Sequence, residues 1–525
     1  MNDFPWITVG RIRCCGFAHT PESKFLSGEG LADYFAKAAT EQELVDLLKV
    51  ANGCFALILP LNQCLYAAVD RIRSIPLFYL DKPLPDPGAN PESLICGHAH
   101  DLGTPGPAIE PDILAEYLMT GYVTGADTLI PEVKQLQAGH YLKWEVEKHP
   151  VQSPYYHYLH ETRDDEPLPE LLARLDQIHL KVAHRLADSL SGRTAVVPLS
   201  GGYDSRLVAW LLKRIGYPSI ICFTYGATGN PESEISRRVA QALGLRWIFT
   251  PHNRKLWHAA YQSLDRKKYY ALACNAVSSA HIQDWLSVKI MKEKRMIPAD
   301  AVFVPGHSAD FLEGSHLPES FFRSPEISQA QLYEAIIRRH YSLWKDPSYQ
   351  YQEGYFQRID SILSSPDQLS NTEAASLFDH WDHRERQAKF IINSVRAYEF
   401  WDFSWRLPLW DHELVDFWTG IPLSYKHKRN LWHSYQTLYF PMQIPVFDTP
   451  PLVQRARDKF LRPGWGNIND IRYGRFAPFQ NPIQYASVKV QSLLNQEFEY
   501  PAFVKPGKPL LKCDLNAIQA LISLL

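Results

Sequence analysis

The chain has 525 residues, with 54 basic and 57 acidic side chains and a formal net charge of −3. That length suits two domains of ordinary size, and the near-zero charge, with its basic residues scattered, argues against a nucleic-acid footprint. No apolar run reaches membrane-spanning length, and Met-Asn-Asp-Phe-Pro-Trp is no signal peptide, so neither a membrane nor nucleic acid is an expected partner. The cysteines lack metal-ligand spacing, which fits a reduced, cytoplasmic enzyme.

From Ile7 to about Trp144 short apolar runs alternate with turn residues and read as mostly strand. Residues 55–59 and 64–69 flank Pro60-Leu-Asn-Gln63, a hairpin signal. Residues 113–118 have helical periodicity, and 133–144 read as a turn and a strand. A Pro-rich loop covers 81–91. The polar, acidic Glu161-Thr-Arg-Asp-Asp-Glu-Pro167 reads as a domain linker. An amphipathic helix is expected over 171–190, then a buried strand over 195–199, a Gly-rich turn, and a helix over 206–214. Strands at 219–224, 247–250 and 301–305 and a helix at 232–243 follow. Strands alternating with helices predict an α/β, doubly wound parallel sheet with its ligand site at the carboxyl ends of the strands. The remainder reads as helical and aromatic, with a patternless tail from about Arg455.

The turn in the middle of this pattern carries the chemistry. Ser200-Gly-Gly-Tyr-Asp-Ser205 lies between a strand and a helix, where backbone N–H groups and a helix N-terminus face an anion. Gly201 and Gly202 allow close backbone approach. Asp204 beside phosphates makes sense only with a bridging divalent cation. No Gly-Lys-Ser/Thr follows, so this is not a Walker loop. Ser-Gly-Gly-x-Asp-Ser instead resembles the pyrophosphate loop of the ATP pyrophosphatases.

Further segments, in order, resemble the asparagine synthetase family over most of the chain. Gly53-Cys-Phe-Ala56, Asp70-Arg71, Pro76-Leu77 and Tyr79 are similar to the core of its glutaminase domain. Thr128-Leu129, Leu136 and Gly139-His140 match the end of that domain. Ser233-Glu234 fits the next helix, and Gly306-His-Ser-Ala-Asp310 stands where the family has a second acidic loop. Arg406-Leu-Pro-Leu-Trp-Asp411 resembles its Arg-Val-Pro-Phe-Leu-Asp segment, and 414–422 continue it. The resemblance implies a glutaminase-like (Ntn-type, αββα) domain over 1–160, a synthetase domain over 161–455 with a helical C-terminal part, and an extension over 456–525.

It also implies a chemistry. A carboxylate attacks the α-phosphorus of ATP, pyrophosphate leaves, and a nitrogen nucleophile displaces AMP from the acyl-adenylate. Ser200, Gly201, Gly202, Ser205 and Gly306 would hold the nucleotide, and Asp204 and Asp310 would share one Mg²⁺. Lys428, with Lys426 as its rival, would be the transition-state cation, because Lys428-Arg-Asn-Leu431 keeps the family's local spacing.

Departures matter as much. Position 2 is Asn where the family's glutaminase has its cysteine, Cys14 and Cys15 read as core residues, and the Asn-Gly-Glu and Ser-x-Glu pieces that hold glutamine are not recognisable. The first domain is therefore expected to be a glutaminase fold without its chemistry, and nitrogen to come from ammonia, an amine or a separate glutaminase. His307 and Phe311 replace two glutamates of the second loop. His307 reads equally as a base for the amine or as a structural histidine. This form looks more like the asparagine-synthase-related proteins of bacterial surface-polysaccharide clusters, which implies a sugar uronate as the carboxylate substrate. Tyr398, Trp401 and Trp405 are core aromatics or a sugar-stacking set. Asparagine synthase proper, a ring-closing synthetase of the β-lactam or lasso-peptide kind and a non-catalytic nucleotide-binding partner stay open as alternatives.

Overall fold

The computed structural model describes residues 4–84, 94–103, 109–161, 166–343 and 353–440. Asn2, part of the expected linker, most of the Pro-rich loop and the expected extension over 456–525 lie outside the described residues.

The first half is built on β1 (Ile7–Val9), β2 (Ile12–His19), β3 (Phe25–Ser27), β4 (Asn52–Leu61), β5 (Cys64–Val69), β6 (Phe78–Leu80), β7 (Ile95–Cys96), β8 (Val133–Gln135), β9 (His140–Glu145) and β10 (Val151–Pro154). A larger antiparallel sheet runs β1-β2-β4-β5-β9-β10, with β3 on β2, and β7-β6-β8 form a smaller one. The residues expected to form one strand after a turn thus make two, in different sheets. Helices α1 (Gly28–Ala36) and α2 (Glu41–Val50), absent from the sequence reading, cover one face of the larger sheet through Leu31, Phe35, Leu44 and Leu48. The start of α2 carries a legible signal, the reciprocal Thr40 and Glu43 capping box. Helix α3 (Pro111–Thr120) extends the short helix expected there.

Cys14 and Cys15 sit on β2 and are buried. Burial pushes the Cys14 thiol up to about 12 and Cys15 well above the ordinary value. They are core residues, as expected.

The second half opens on α4 (Leu168–Leu190) and builds a parallel sheet from β11 (Ala195–Pro198), β12 (Ile220–Gly226), β13 (Arg246–Pro251), β14 (Val302–Phe303) and, beyond a small antiparallel pair formed by β15 (Glu326–Ser328) and β16 (Gln368–Ser370), β17 (Ser404–Trp405). Its order is β13-β12-β11-β14-β17, every pairing parallel. The chain winds outward from β11 to β13 and then returns to the other side, so the order reverses between β11 and β14. In an open parallel sheet that reversal opens a crevice at the carboxyl ends of the two strands. Four of the strands were expected. The fifth, β17, is two residues long and was hidden in an aromatic stretch.

Of that stretch, Tyr398 and Trp405 are buried and Trp401 is partly so. Their polar atoms bond Asp284, Glu399 and the Trp285 carbonyl. They are core, not a stacking platform.

The two halves are joined by buried polar contacts on residues the family resemblance had picked out. Asp411 caps the helix His412–Gly420, takes a two-pronged contact from Arg185 (2.7 Å each) and accepts from Asn52 of β4 at 2.9 Å. Asp70 accepts from the backbone of Phe55, Ile72 and Ser74 and from the Ser74 hydroxyl. Arg396 donates in turn to the Ser74 carbonyl. These motif residues dock the halves to each other.

Candidate active site

After β11, Leu199 still pairs with β12 through its N–H to the Phe223 carbonyl. The loop then folds on two hydroxyls: Ser200 N–H donates to Ser205 Oγ and Gly202 N–H to Ser200 Oγ, each at 3.1 Å. Arg206, buried, braces the loop through the Gly201 carbonyl. Gly202 is the extended N-cap of α5 (Tyr203–Arg214) and gives it no side-chain cap, which leaves the helix N-terminus open to an anion. The helix starts three residues before the expected Arg206, so Asp204 and Ser205 lie in its first turn. Helix α6 (Pro231–Leu243) follows β12, with Asn230 capping it through the Ser233 N–H.

The second acidic loop leaves β14 directly opposite. A Cβ at Gly306 would stand 2.6 Å from Asp204 C and Ser205 N, so only glycine lets the two loops touch here. The chain between contains α7 (Arg254–Gln262), α8 (Leu264–Cys274) and α9 (Trp285–Glu293), and the loop itself ends in the short α10 (Ala309–Leu312), which carries Asp310. Asp310 N–H donates to Asp204 Oδ2 at 3.1 Å. Burial and then the Asp310 charge push the Asp204 carboxyl up to about 7. Asp310 itself is held well below the carboxylate range, because His316 outweighs the cost of burial.

Asp310 sits in a closed ring of contacts. Its Oδ2 is 3.4 Å from His316 Nε2, and His316 Nδ1 meets Asp382 at 2.6 Å. Gln387 donates to Asp382 at 3.0 Å and accepts from Ser308, two residues before Asp310, at 2.7 Å. Burial works against a charged His316, but Asp382 and Asp310 hold its pKa above the ordinary imidazole value. Asp382 and Gln387 belong to a π-helix, Asp382–Ile391, a conformation concentrated at functional sites. Nearly half of the Asp310 side chain remains open to water (47%).

The residues expected as cations separate clearly. Lys426 is fully buried, 3.6 Å from Asp379 and 3.3 Å from His160, and burial lowers it to about 8. Lys428 is exposed. Lys428 and Arg429 both have left-handed backbone (φ 51 and 58), which turns neighbouring side chains apart. Arg429 turns inward: it pairs with the buried Glu313 and stands 3.5 Å from Asp204. Sequence reasoning missed Arg429, Glu313, His316 and Asp382. Arg429 was visible inside the quoted Lys-Arg-Asn-Leu stretch, but spacing alone pointed one residue away. His307 is half-buried, with Ser394 Oγ 3.4 Å from its ring, and burial lowers its pKa.

With this geometry in view, residues 181–433 match the asparagine synthase family model. That span carries the phosphate loop, the second acidic loop and Arg429 together. Residues 181–433, just under half of the chain, are thus similar to an asparagine synthase domain. That likeness supports an ATP-using, amide-forming ligase kind. No curated protein matches the chain. Among solved structures, one described as a predicted subunit of tRNA methyltransferase from Methanocaldococcus jannaschii is similar over 32% of this chain and 76% of its own, at 18% identity and a TM-score of 0.15.

Among the described residues no group of three His, Cys, Asp or Glu is set to hold a metal ion. Two carboxylates still fit Mg²⁺, which completes its shell with phosphate oxygens and water. Burial and, after it, the Asp310 charge raise Asp204, and a cation between the two carboxylates would offset both. No helix among the described residues is long and apolar enough to cross a membrane.

Proposed function

We propose that the asparagine synthase domain adenylates a small-molecule carboxylate with ATP, releases pyrophosphate, and passes the acyl group to nitrogen with loss of AMP. The observation that carries this reading is the meeting of Asp204 and Asp310 across the crevice between β11 and β14, above an uncapped helix N-terminus. In this reading Ser200, Gly201, Gly202, Ser205 and Gly306 cradle the triphosphate. Asp204 and Asp310 hold Mg²⁺, which would supply charge neutralisation at the phosphates. Arg429 is the cation best placed to meet negative charge developing on the departing pyrophosphate, since it already faces Asp204. Lys428 is the competing candidate and would have to swing in from solvent.

His307 stands on the loop that follows β14, close enough to Asp310 to feel its charge. Its lowered pKa keeps the imidazole neutral at physiological pH, as a base for an incoming amine requires. The substrate we favour is a sugar uronate. Residues 1–160 are proposed as a glutaminase-like domain that docks on the synthetase domain of 161–455, with 456–525 as an extension. Ammonia or an amine, delivered from elsewhere, is the nitrogen source.

The test is carboxylate-dependent ATP–pyrophosphate exchange over a panel that includes uronates and aspartate. Asp204→Asn and Asp310→Asn should each abolish exchange while leaving the melting temperature near that of the parent. Exchange that survives Asp310→Asn at saturating Mg²⁺ would remove Asp310 from the metal site.

A further inference from the structure

The two halves of the chain enclose a cavity, and none of its lining residues holds nucleotide or metal in the reading above. One wall is β2 and β4, through Phe17, His19, Asn52 and Cys54, and the other is α4 with residues 406–411. His19 pairs with Asn52 and Phe17 with Cys54 across the two strands. Side chains two apart on a strand share a face, so all four open onto the same space. About 50 Å³ of it admits the centres of water-sized molecules, where a single water needs roughly 10–15 Å³.

Most polar groups of these walls are already bonded. Asn52 donates to Asp411 and accepts from the His412 N–H. Ser189 Oγ donates to the Leu186 carbonyl and accepts from Arg406 Nε. Arg185 is held by Asp411 and Glu413. Two atoms are left over. His19 Nε2 and Trp410 Nε1 are buried without a hydrogen-bond partner, in residues only 5% and 6% exposed, and both residues line the cavity. They come from opposite halves. Trp410 N–H can only donate, and a neutral His19, which burial favours, can accept or donate at Nε2.

A buried polar atom left bare costs about 1–3 kcal/mol. Waters filling the space would find few partners beyond these two, because Phe17, Ile72, Val182, Leu186, Leu407 and Pro408 make up much of the remaining wall. The charges are balanced too. Arg185 and Arg406 stand against Asp411 and, behind Arg185, Glu413. A charged guest would therefore be buried unmatched.

We propose that this cavity binds a small uncharged molecule, an alkyl body carrying one hydroxyl or amide group, which accepts from Trp410 Nε1 and meets His19 Nε2, bridging the two halves. A hydroxyl or a primary amide can serve both atoms at once. A hydrocarbon would leave both bare. The inference stands apart from the adenylation reading.

The experiment follows the Trp410 indole N–H by NMR in the full chain carrying ¹⁵N-tryptophan, with Trp410→Phe to assign the signal. Isobutyramide and isobutanol report the amide and alcohol sources, and isobutyrate is the charged counterpart of the same shape. At least one neutral probe should shift the signal saturably, while isobutyrate leaves it in place. His19→Phe should weaken that probe by roughly fivefold or more, the usual loss for one hydrogen bond to a buried group. The comparison of the neutral probes with isobutyrate needs no change at His19, so it still decides if His19→Phe fails to fold. The proposal is overturned if neither neutral probe shifts the signal, if isobutyrate binds as well as they do, or if His19→Phe binds as the parent does. A cavity that holds water alone gives the first of these results.

Discussion

Gly306→Ala puts the two-loop account under the sharpest strain. The added Cβ would lie 2.6 Å from two backbone atoms of the α5 start, where ordinary contact begins at 3.4 Å. Neither atom belongs to a flexible side chain, so the loops must part by roughly 0.8 Å. Overpacking of this kind costs about 1–3 kcal/mol, which for a domain of this size is a fall in melting temperature of roughly 2–10 °C. The functional loss should be far larger in proportion. The Asp310 N–H bond to Asp204, now 3.1 Å, would be broken, and the carboxylates would move apart when Mg²⁺ tolerates little error in ligand position. A misplacement near 1 Å costs about 10²-fold in rate. Calorimetric titration of the Mg²⁺–nucleotide analogue, beside a thermal melt, reads both effects. Gly30→Ala, in α1 of the first half of the chain and with only Leu26 Cδ2 within reach of its Cβ at 3.8 Å, is the mild control. If Gly306→Ala binds Mg²⁺–nucleotide within threefold of the parent, the close approach of the loops is not what builds the site.

Three further outcomes follow from named groups. Arg429→Ala should lower exchange by roughly 10²–10³-fold with little change in nucleotide affinity, Lys428→Ala should be mild, and Lys426→Met should act on stability; equal losses for Lys428 and Arg429 would return the transition-state role to the lysine. Acid should destabilise the fold early. Burial holds His140, His179, His380 and His383 each near 3, so below about pH 6.5 the unfolded chain takes up protons that the folded one refuses, and stability falls as pH falls. Each contributes up to about 1.4 kcal/mol per pH unit, offset in part by Asp70 and Asp204, whose raised pKa values have the opposite sign. Denaturant midpoints at pH 7 and pH 5 test this, and an unchanged midpoint would contradict it. Finally, labelled glutamine should yield no glutamate through Cys14 or Cys15, since both thiols are buried and held protonated; release abolished by replacing either cysteine would refute that.

Much of this was legible because short-range pattern and long-range placement agreed. The apolar runs of β11 and β12, the glycines after β11 and the Asn-Pro start of α6 are local signals, and alternation of strand and helix gave the parallel sheet. The order reversal between β11 and β14 then placed Asp204 beside Asp310 with no signal in either segment alone. What stayed hidden depended on unusual backbone. The π-helix breaks the 3.6-residue period, so no helical pattern in the sequence sets Asp382 apart. Positive φ at two consecutive residues exchanged the directions of Lys428 and Arg429, and motif spacing cannot report a local kink. A strand as short as β17 carries too few residues for periodicity and is fixed by its neighbour β14.

The central claim is that this chain cuts ATP between its α- and β-phosphates in response to a carboxylic acid. The direct measurement is phosphorus NMR of the purified chain with Mg²⁺, ATP, ammonium and the acid that supports exchange. The account predicts AMP and pyrophosphate in equal amounts, dependent on the acid and lost in Asp204→Asn. ADP with inorganic phosphate as the products would contradict it.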